Sequence, residues 1–490
     1  MTRVVLASAV VALFASLLEA PSAVAQDQQW TAPRAEALVK AIRAAGDHGL
    51  NPDWYRLAEL EKAVASGNDK TLTDAYVAYA GDVSTGRVNA NRVDKEIDIR
   101  QRSTSRADLL KAAAEATDFA GHLDSLPPKG DYPALQKVLA DLRRQRATAA
   151  YTPVPSGGWL KPKMIDGRVP LLRTRLAELG YTVPPPASDA VLELYDEPLV
   201  AMVKAYQETK GLTVDGVIGE NTTRSLNTSI DDRIEQVIAN LERRRWLPEN
   251  LGSRYVLVNA GDYSMQFVDG GQKVFESLVI VGTPKNPTPE IQSTMRSFQT
   301  NPHWTVPQSI SGEEYLPMLR RDPYALQKAG FRIFESWSSD DSELDPASID
   351  WSGINPKAFP YRIRQEPGAG NALGYIFFPF PNAYGIYMHD TATRWLFTEG
   401  SRNFSHGCIR LQNPLDFVQK VFAGRPGFDK GRVQQVINSG QQAHYSFPEP
   451  VTLHVTYRTV TATGDGTPVF RDDVYGRDKR VVQAMARPRS

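Results

Sequence analysis

The chain holds a single cysteine, Cys408, and a histidine, His406, stands two positions before it. A second histidine, His389, lies nineteen positions upstream, a distance that allows a strand and a loop to return it beside the thiol. A free thiol has a pKa of about 8.5 and is mostly protonated at neutral pH. A nucleophilic cysteine therefore needs a nearby base or positive dipole that raises its thiolate fraction. These residue types predict covalent catalysis by Cys408, with the two histidines as candidate bases.

The residues around Cys408 fit a site that stabilises negative charge. Gly407 allows a tight bend of the backbone, and the main-chain N–H groups of Ser405, Gly407 and Cys408 are candidate donors to an oxyanion. Asn413-Pro414 reads as the first residues of a helix, which predicts that the thiol lies on a loop just before a helix N-terminus. The alternative is that a lone cysteine is only a small buried apolar residue, and the histidine spacing argues against it.

The run Ser405-His406-Gly407-Cys408-Ile409-Arg410, preceded by His389 with fifteen residues between, resembles the signature of the L,D-transpeptidase (YkuD-type) catalytic domain. The resemblance implies that Cys408 is the nucleophile and His389 its proton donor and acceptor. It gives His406 a supporting role and Gly407 a backbone contribution to the oxyanion site. It also implies that Ser405 and Arg410 contact the substrate. The sequence alone leaves open which histidine is the base.

Two further runs resemble this family and add candidate substrate contacts. Asn301-Pro302-His303-Trp304-Thr305-Val306-Pro307 matches one of them, and its Trp304 ring is a candidate wall of the substrate cleft. The glycine-rich run from Gln365 to Gly374 matches the other and contains Asn371. The resemblance implies that this run lines the site.

The first residues, 1–25, read as a secretory signal, with Arg3 before an apolar stretch and a small-residue cleavage site at Ala23-Val24-Ala25. An uncleaved membrane anchor is the alternative, although Glu19 ends the apolar run before the roughly 20 residues that span a bilayer. We therefore expect an exported, periplasmic protein associated with the cell wall, with no transmembrane segment after signal cleavage.

Charge and cysteine content narrow the function classes. Lys plus Arg and Asp plus Glu each number 56, so the net charge is zero and indicates binding neither to nucleic acid nor to membranes. One cysteine cannot form an internal disulfide, so stability must come from core packing. A metal site built from two histidines and the cysteine is an alternative for the motif. We expect neither a metal nor a cofactor.

The pattern along the chain predicts a multidomain α+β protein. Residues 26–150 have helical periodicity and resemble the helical scaffold domain of large periplasmic enzymes of the YcbB type. Residues 165–228 predict three short helices with a turn at Asp215-Gly216, and they resemble a peptidoglycan-binding domain. Residues 229–252 predict a connecting helix, and its Arg243-Arg244-Arg245 triplet is expected on a solvated face or as a charge cluster at the helix C-terminus.

From residue 253 the apolar period changes to that of strands, which predicts a mostly-β catalytic domain over 253–460, sandwich-like by resemblance. Strands are predicted at 255–259, 265–268, 274–281, 374–378, 385–389, 395–398 and 451–458. The stretch 303–354 shows no strands and is by resemblance a capping subdomain over the active-site cleft. Residues 461–490 are expected to form a C-terminal tail.

The resemblance implies acyl transfer between peptidoglycan stem peptides. Cys408 would form a thioester with a tetrapeptide stem, release its terminal D-Ala, and pass the acyl group to the third residue of a neighbouring stem as a 3-3 cross-link. Stem peptides and glycan are the expected partners, and protein partners stay open. The alternatives are an L,D-carboxypeptidase, an enzyme that attaches lipoproteins to peptidoglycan, and a non-catalytic wall-binding protein.

Overall fold

The computed structural model describes residues 30–210, 212–337, 342–425, 428–463 and 466–488. The predicted signal sequence at residues 1–25 lies outside them. Across the described ranges, no helix combines the length and the apolar character that a membrane crossing requires.

The N-terminal region is helical, as its periodicity predicts. Side chains of Asn68, Ser105 and Asp118 cap helix N-termini by accepting from backbone amides. The short strand β1 leaves the helices and pairs with the catalytic sheet, so the two regions share a sheet edge. The elements are α1 (Ala32–Arg43), α2 (Leu57–Ser66), α3 (Asp69–Thr85), α4 (Ala90–Val93), β1 (Ile97–Asp98), α5 (Arg106–Glu115), α6 (Phe119–Ser125) and α7 (Tyr132–Arg146).

The second region contains the helices predicted for it: α8 (Val169–Glu178), α9 (Glu197–Lys210) and α10 (Glu220–Leu226). Their apolar faces meet in a separate small core that includes Leu172, Val203 and Leu226. An isolated antiparallel bridge between Leu160 and Ile218 ties the preceding segment to this core. The region is therefore a folded module with its own apolar interior.

The connecting helix α11 (Ile230–Trp246) corrects the prediction for the arginine triplet. Arg243, Arg244 and Arg245 are all buried, because α7 packs on one side of α11 and the C-terminal helix packs on another. Each has a carboxylate partner. Arg243 pairs with Asp478, Arg244 pairs with Asp131 through two bonds of 2.9 and 2.7 Å, and Arg245 pairs with Glu242 at 2.6 Å. The triplet is an internal junction and not a solvated face.

The catalytic region is one sheet that closes on itself. Its strands follow the order β5-β13-β2-β3-β4-β12-β10-β9, and β9 returns to pair with β5, where the sequence predicted a sandwich-like core. Neighbours are antiparallel except for β2–β13 and β10–β12. These strands are β2 (Tyr255–Asn259), β3 (Ser264–Asp269), β4 (Gln272–Gly282), β5 (Glu290–Thr300), β9 (Ile376–Phe378), β10 (Met388–His389), β12 (Ile409–Leu411) and β13 (Ala443–Thr456).

The closed sheet encloses the largest apolar cluster of the described residues. Strand alternation sends Val258, Phe267, Met295 and Phe378 into this interior, where each is almost fully buried. Helices α14 (Pro414–Val421) and α15 (Lys430–Asn438) add Phe417 and other apolar side chains. Strand β11 (Asn403–Ser405) pairs with β4 beside this closed path.

The capping insertion has strands of its own, which corrects the prediction of a strand-free stretch. Strands β6 (Trp304–Thr305), β7 (Phe331–Phe334) and β8 (Arg362–Gln365) form a separate sheet in the order β6-β8-β7. Helices α12 (Gln308–Ile310) and α13 (Leu316–Leu319) flank a π-helical turn at Ser311–Tyr315. A distinct apolar cluster reaches Ile363, so the insertion extends past residue 354.

Two local predictions in the catalytic region are wrong. Arg394–Thr398 is a 3₁₀ helix and not a strand. Cys408 lies on a loop, as expected, but this loop joins β11 to β12, and strand β12 separates the thiol from the start of helix α14.

Further 3₁₀ helices lie in connections between the named elements, at Ala44–His48, Pro52–Tyr55, Asp189–Val191, Gln327–Ala329, Pro346–Ser348, Trp351–Gly353 and Pro356–Ala358.

The residues expected to be a C-terminal tail are folded. Strands β14 (Val460–Ala462) and β15 (Pro468–Phe470) form a hairpin, and helix α16 (Arg477–Ala486) follows it. Helix α16 packs against α11, and its Val481 and Met485 are buried in the apolar cluster of the N-terminal helices. After the catalytic sheet, the chain thus returns to the N-terminal helices.

Candidate active site

Strands β10 and β12 bring the predicted catalytic residues together. They pair in parallel, with Met388 opposite Ile409 and His389 opposite Arg410. Met388 and Ile409 are fully buried in the core, so His389 and Arg410 point to the opposite face. The Ile409 amide donates to the Tyr387 carbonyl at 2.9 Å, which continues the pairing back to Cys408. Cys408 lies one position before β12 and packs partly against the core, two positions before Arg410, the residue that pairs with His389.

The Cys408 thiol is half-buried and its pKa is raised. Burial is the main cause, because it disfavours the thiolate. The backbone amide of Tyr387, which contacts the sulfur, and the positive charge of Arg410 act in the opposite direction. The thiol is consequently protonated at neutral pH and needs a base at the moment of attack.

His389 is neutral, as a proton acceptor must be, and burial makes it a weaker base than a free imidazole. It is 4% exposed, and burial, followed by the nearby charge of Arg410, lowers its pKa to about 3. The imidazole is therefore neutral across the physiological pH range. Its Nδ1 contacts the Asp390 carbonyl, which can only accept, so Nδ1 carries the proton of the neutral ring, and the imidazole also contacts the backbone of Leu373.

The turn from Ser405 to Cys408 is held by the Ser405 hydroxyl. This group donates to the Cys408 carbonyl at 2.5 Å and accepts from the Gly407 amide at 3.2 Å. Gly407 has a φ of +107°, and a Cβ there would lie 3.3 Å from Cγ2 of Ile386. The Gly407 amide is thus committed to Ser405, and the Cys408 amide is left as the candidate oxyanion donor.

A second support for this turn comes from Thr288, which is fully buried. Its hydroxyl donates to the Gly407 carbonyl at 2.8 Å and accepts from the Gly282 amide at 2.8 Å. The Thr288 amide donates to the Tyr475 hydroxyl at 3.3 Å, and Arg477 donates to the Thr288 carbonyl at 3.1 Å. The C-terminal segment thereby braces the turn that carries the thiol.

Arg410 lies beside the thiol with unused hydrogen-bonding capacity. Its Nη1 donates to the Thr393 hydroxyl at 3.0 Å. Its Nε is buried, and no group of the described residues accepts a hydrogen bond from it. Arg410 combines a positive charge with a free donor on the face that holds Cys408.

His406 faces away from the core and contacts the capping insertion. Its Nε2 lies 2.5 Å from Oε1 of Glu314, and both side chains are partly exposed. The adjacent Glu313 pairs with Lys285 of the catalytic region at 2.7 Å. Both glutamates belong to the π-helical turn, an irregularity that often marks functional segments. The turn therefore fastens the insertion to the thiol loop.

The other two predicted substrate contacts, Trp304 and Asn371, pack against protein groups. Trp304 is half-buried within the insertion, where its ring packs edge-on against Tyr315 and Phe331. Asn371 is 1% exposed and uses its amide within the protein. It donates to the Pro302 and Glu366 carbonyls, and its oxygen accepts from the Leu373 amide. Asn371 shapes the turn that precedes β9, and its side chain has no open face toward a ligand.

The described residues contain no group of three His, Cys, Asp or Glu side chains placed to hold a metal ion. The candidate residues around the thiol are Cys408, Arg410 and, paired with Arg410 across the strands, His389, with Ser405 and Gly407 shaping the turn. Thr288, Tyr387 and Glu314 are additional neighbours that sequence reasoning missed. Tyr387 lies two positions before His389, so the alternation of side chains along a strand predicts that it shares a face with His389. No sequence pattern near Thr288 or Glu314 indicates that either lies close to Cys408.

Three family models match successive parts of the chain, and the model of the L,D-transpeptidase catalytic domain (YkuD) matches residues 253–433. Residues 253–433 form a YkuD-type L,D-transpeptidase domain. The model described as "Scaffold domain" matches residues 25–139. The model described as "Putative peptidoglycan binding domain" matches residues 166–226. The family resemblance inferred from the motif is thereby confirmed.

A curated relative of this chain comes from Haemophilus influenzae (strain ATCC 51907 / DSM 11121 / KW20 / Rd) and is named "Putative L,D-transpeptidase". The two are 33% identical over 257 residues, which are 52% of this chain and 50% of the relative. The chain thus spans about half the length of the curated relative that it matches.

Solved structures also match the chain. An L,D-transpeptidase from Mycobacterium smegmatis is 13% identical, covers 42% of this chain and 58% of its own, and has a TM-score of 0.19. An L,D-transpeptidase (Yku) from Stackebrandtia nassauensis is 14% identical, covers 62% of this chain and 97% of its own, and has a TM-score of 0.19. The assignment of the L,D-transpeptidase domain rests on the family model and not on these structures.

Proposed function

We propose that the protein is a peptidoglycan L,D-transpeptidase that forms 3-3 cross-links through a thioester on Cys408. The observation that carries the proposal is the parallel pairing of β10 with β12, which brings a neutral, buried His389 opposite Arg410, two positions after Cys408. The match of residues 253–433 to the L,D-transpeptidase catalytic domain supports the reaction class.

In the first half-reaction, Cys408 attacks the carbonyl of the third residue of a tetrapeptide stem. The sulfur–carbon bond forms while the Sγ proton passes to Nε2 of His389. The resulting oxyanion accepts from the Cys408 amide. When the tetrahedral intermediate collapses, the bond to the D-Ala nitrogen breaks and His389 returns its proton to that leaving amine. D-Ala departs, and the stem remains as a thioester.

In the second half-reaction, the side-chain amine of a neighbouring stem attacks the thioester. A new amide bond forms, the sulfur–carbon bond breaks, and His389 carries the proton of the amine to the sulfur. Arg410 places its positive charge beside the thiol, where it favours the thiolate and attracts a carboxylate of the substrate. His406, bound to Glu314, holds the capping insertion against the loop that carries Cys408 and takes no proton in this scheme.

The setting of this reaction is the cell wall. We propose that residues 1–25 direct export to the periplasm and that the protein contributes there to cell-wall biogenesis and cell shape. The match of residues 166–226 to a peptidoglycan-binding family supports peptidoglycan as the substrate.

The test is intact-protein mass spectrometry of the enzyme mixed with a disaccharide-tetrapeptide. We expect an adduct equal to substrate minus D-Ala, followed by cross-linked dimer, and neither product with Cys408→Ala. Acylation should also fall sharply in His389→Gln. His454→Gln is the matched control, because His454 is similarly buried in the same sheet at 5% exposure.

Product analysis separates the proposal from its alternatives. Resolution of the adduct to tripeptide alone would identify a carboxypeptidase, and resolution only by the amine of a lipoprotein peptide would identify an attachment enzyme. If the protein forms no adduct with any stem peptide, it is a wall-binding protein without this activity.

A further inference from the structure

A groove of about 810 Å³ lies between the peptidoglycan-binding module and the segment that leads into the thiol turn. One wall is the module's loop at 213–222, and the other is the segment 399–404. That second wall continues through β11 directly into Ser405 and Cys408. A ligand that fills the groove would therefore touch both the module and the backbone that precedes the nucleophile.

Trp159 gives the groove an open aromatic surface. It is 68% exposed, which is unusual for so large an apolar side chain. Its neighbour Leu160 is bridged to Ile218 by two backbone hydrogen bonds of 3.2 and 3.0 Å, which fix the position of Trp159 beside the loop. The Lys161 ammonium lies 5.5 Å from the indole centroid. The ring is anchored through the backbone while most of its surface stays free.

The module wall of the groove is preformed. Gln207 is 1% exposed, and its amide nitrogen donates to Asp215 Oδ1 at 2.9 Å and to the Val217 carbonyl at 3.1 Å. Its oxygen accepts from the Gly216 amide at 2.8 Å. These bonds hold the loop in one conformation before any ligand arrives. Ligand binding there costs little loop-ordering entropy.

The lining combines aromatic surface with many hydrogen-bonding groups, which suits a hydroxyl-rich chain. Beside Trp159 and the half-exposed Phe404, the walls present neutral and charged side chains with hydrogen-bonding groups: Thr213, Asn221, Ser401, Asn403, Lys161, Asp215, Glu220 and Glu399. A sugar ring offers both surfaces that such a lining needs, because its C–H face packs on an aromatic ring while its hydroxyl and acetamido groups exchange hydrogen bonds.

We propose that this groove binds the glycan backbone of peptidoglycan, with Trp159 as its stacking platform, and so delivers the attached stem peptide to Cys408. The inference rests on the proposed function for the identity of the substrate. It adds a second binding site that lies outside the thiol face and acts on the sugar part only. Trp159 acts by binding and takes no part in the bond changes.

The experiment compares two donors with wild type and Trp159→Ala: a free tetrapeptide and the same tetrapeptide on a glycan chain of several disaccharides. We expect Trp159→Ala to raise KM for the glycan-linked donor about tenfold, with kcat unchanged. Its kinetics with the free tetrapeptide should equal those of wild type. Trp395→Ala is the matched control, since Trp395 is 64% exposed and does not line the groove.

Binding is measured separately by calorimetry with the Cys408→Ala protein and a peptide-free glycan chain. We expect binding that Trp159→Ala weakens and Trp395→Ala does not. If wild type turns over both donors equally well and Trp159→Ala changes neither, the groove inference is refuted while the proposed function stands. If wild type turns over neither donor but still binds glycan through Trp159, the groove is upheld and the proposed reaction fails.

Discussion

Replacement of Thr288 by valine tests whether the hydrogen bonds of the Thr288 hydroxyl to the turn before Cys408 matter for catalysis. Valine keeps the shape of threonine but removes the hydroxyl. The Gly407 carbonyl then loses its donor and the Gly282 amide loses its acceptor, and Thr288 itself is fully buried. Leaving a buried polar group unpaired costs about 1–3 kcal/mol, so the two together cost roughly 2–6 kcal/mol.

The effect on activity should exceed what stability alone explains. Gly407 directly precedes Cys408, so a turn that relaxes moves the sulfur relative to His389. Misplacement of reacting groups by about 1 Å lowers the rate about 10²-fold. We therefore expect the acylation rate of Thr288→Val, measured by mass spectrometry at a temperature where the protein is folded, to fall by about that factor. Thr288→Ser keeps the hydroxyl and should restore most of the rate.

The matched control is Thr456→Val. Thr456 is also buried in the catalytic sheet, and its hydroxyl donates to the Val258 carbonyl at 3.0 Å, away from the thiol turn. It should lose stability in urea unfolding and keep the wild-type acylation rate. If Thr288→Val acylates as fast as Thr456→Val, the hydrogen bonds of the Thr288 hydroxyl have no role in positioning Cys408 and the reasoning is refuted.

Three further outcomes follow from burial and charge. Because burial raises the pKa of Cys408, its alkylation by iodoacetamide should be slow at pH 7 and still accelerate above pH 9; a plateau below pH 8 would contradict this. Burial lowers the pKa of His454 to about 4, so between about pH 4 and 6.5 only the unfolded chain binds that proton and stability falls as the pH falls. Urea unfolding should therefore show wild type losing about 2 kcal/mol more than His454→Gln between pH 7 and pH 5, and equal losses would count against it. Arg243→Met leaves Asp478 buried without its partner and should cost about 3–5 kcal/mol in urea unfolding, much of it recovered in the Arg243→Met, Asp478→Leu double variant; a neutral single variant would show that the pair is not structural.

The candidate catalytic residues could be predicted from the sequence because their signal is local. The run Ser405 to Arg410 is contiguous, and His389 needs only one parallel strand pairing to reach it. The strands at 255–259 and the helices at 165–228 were also predictable, since each follows a clear apolar period. Roles for Trp304 and Asn371 were assigned from motif runs that do not report side-chain direction.

What the sequence hides are contacts between distant positions. Thr288 and Gly407 are 119 positions apart, and Thr288 and Arg477 are 189 apart. The arginine triplet was expected in solvent because an unpaired buried charge is costly. Its partners Asp131 and Asp478 lie 113 and 235 positions away, so no local pattern could reveal them.

The return of the chain after the catalytic sheet determines which fragments of the protein can fold with the candidate site intact. The match to the L,D-transpeptidase domain ends at residue 433, before strand β13, which pairs with both β2 and β5. A recombinant fragment cut there would contain Cys408, His389 and Arg410 and yet open the sheet that holds them. A cut after β13 would close the sheet but remove Tyr475 and Arg477 from Thr288. The smallest fragment suited to inhibitor screening therefore runs through α16, and because α16 is buried against the N-terminal helices, it includes those helices as well.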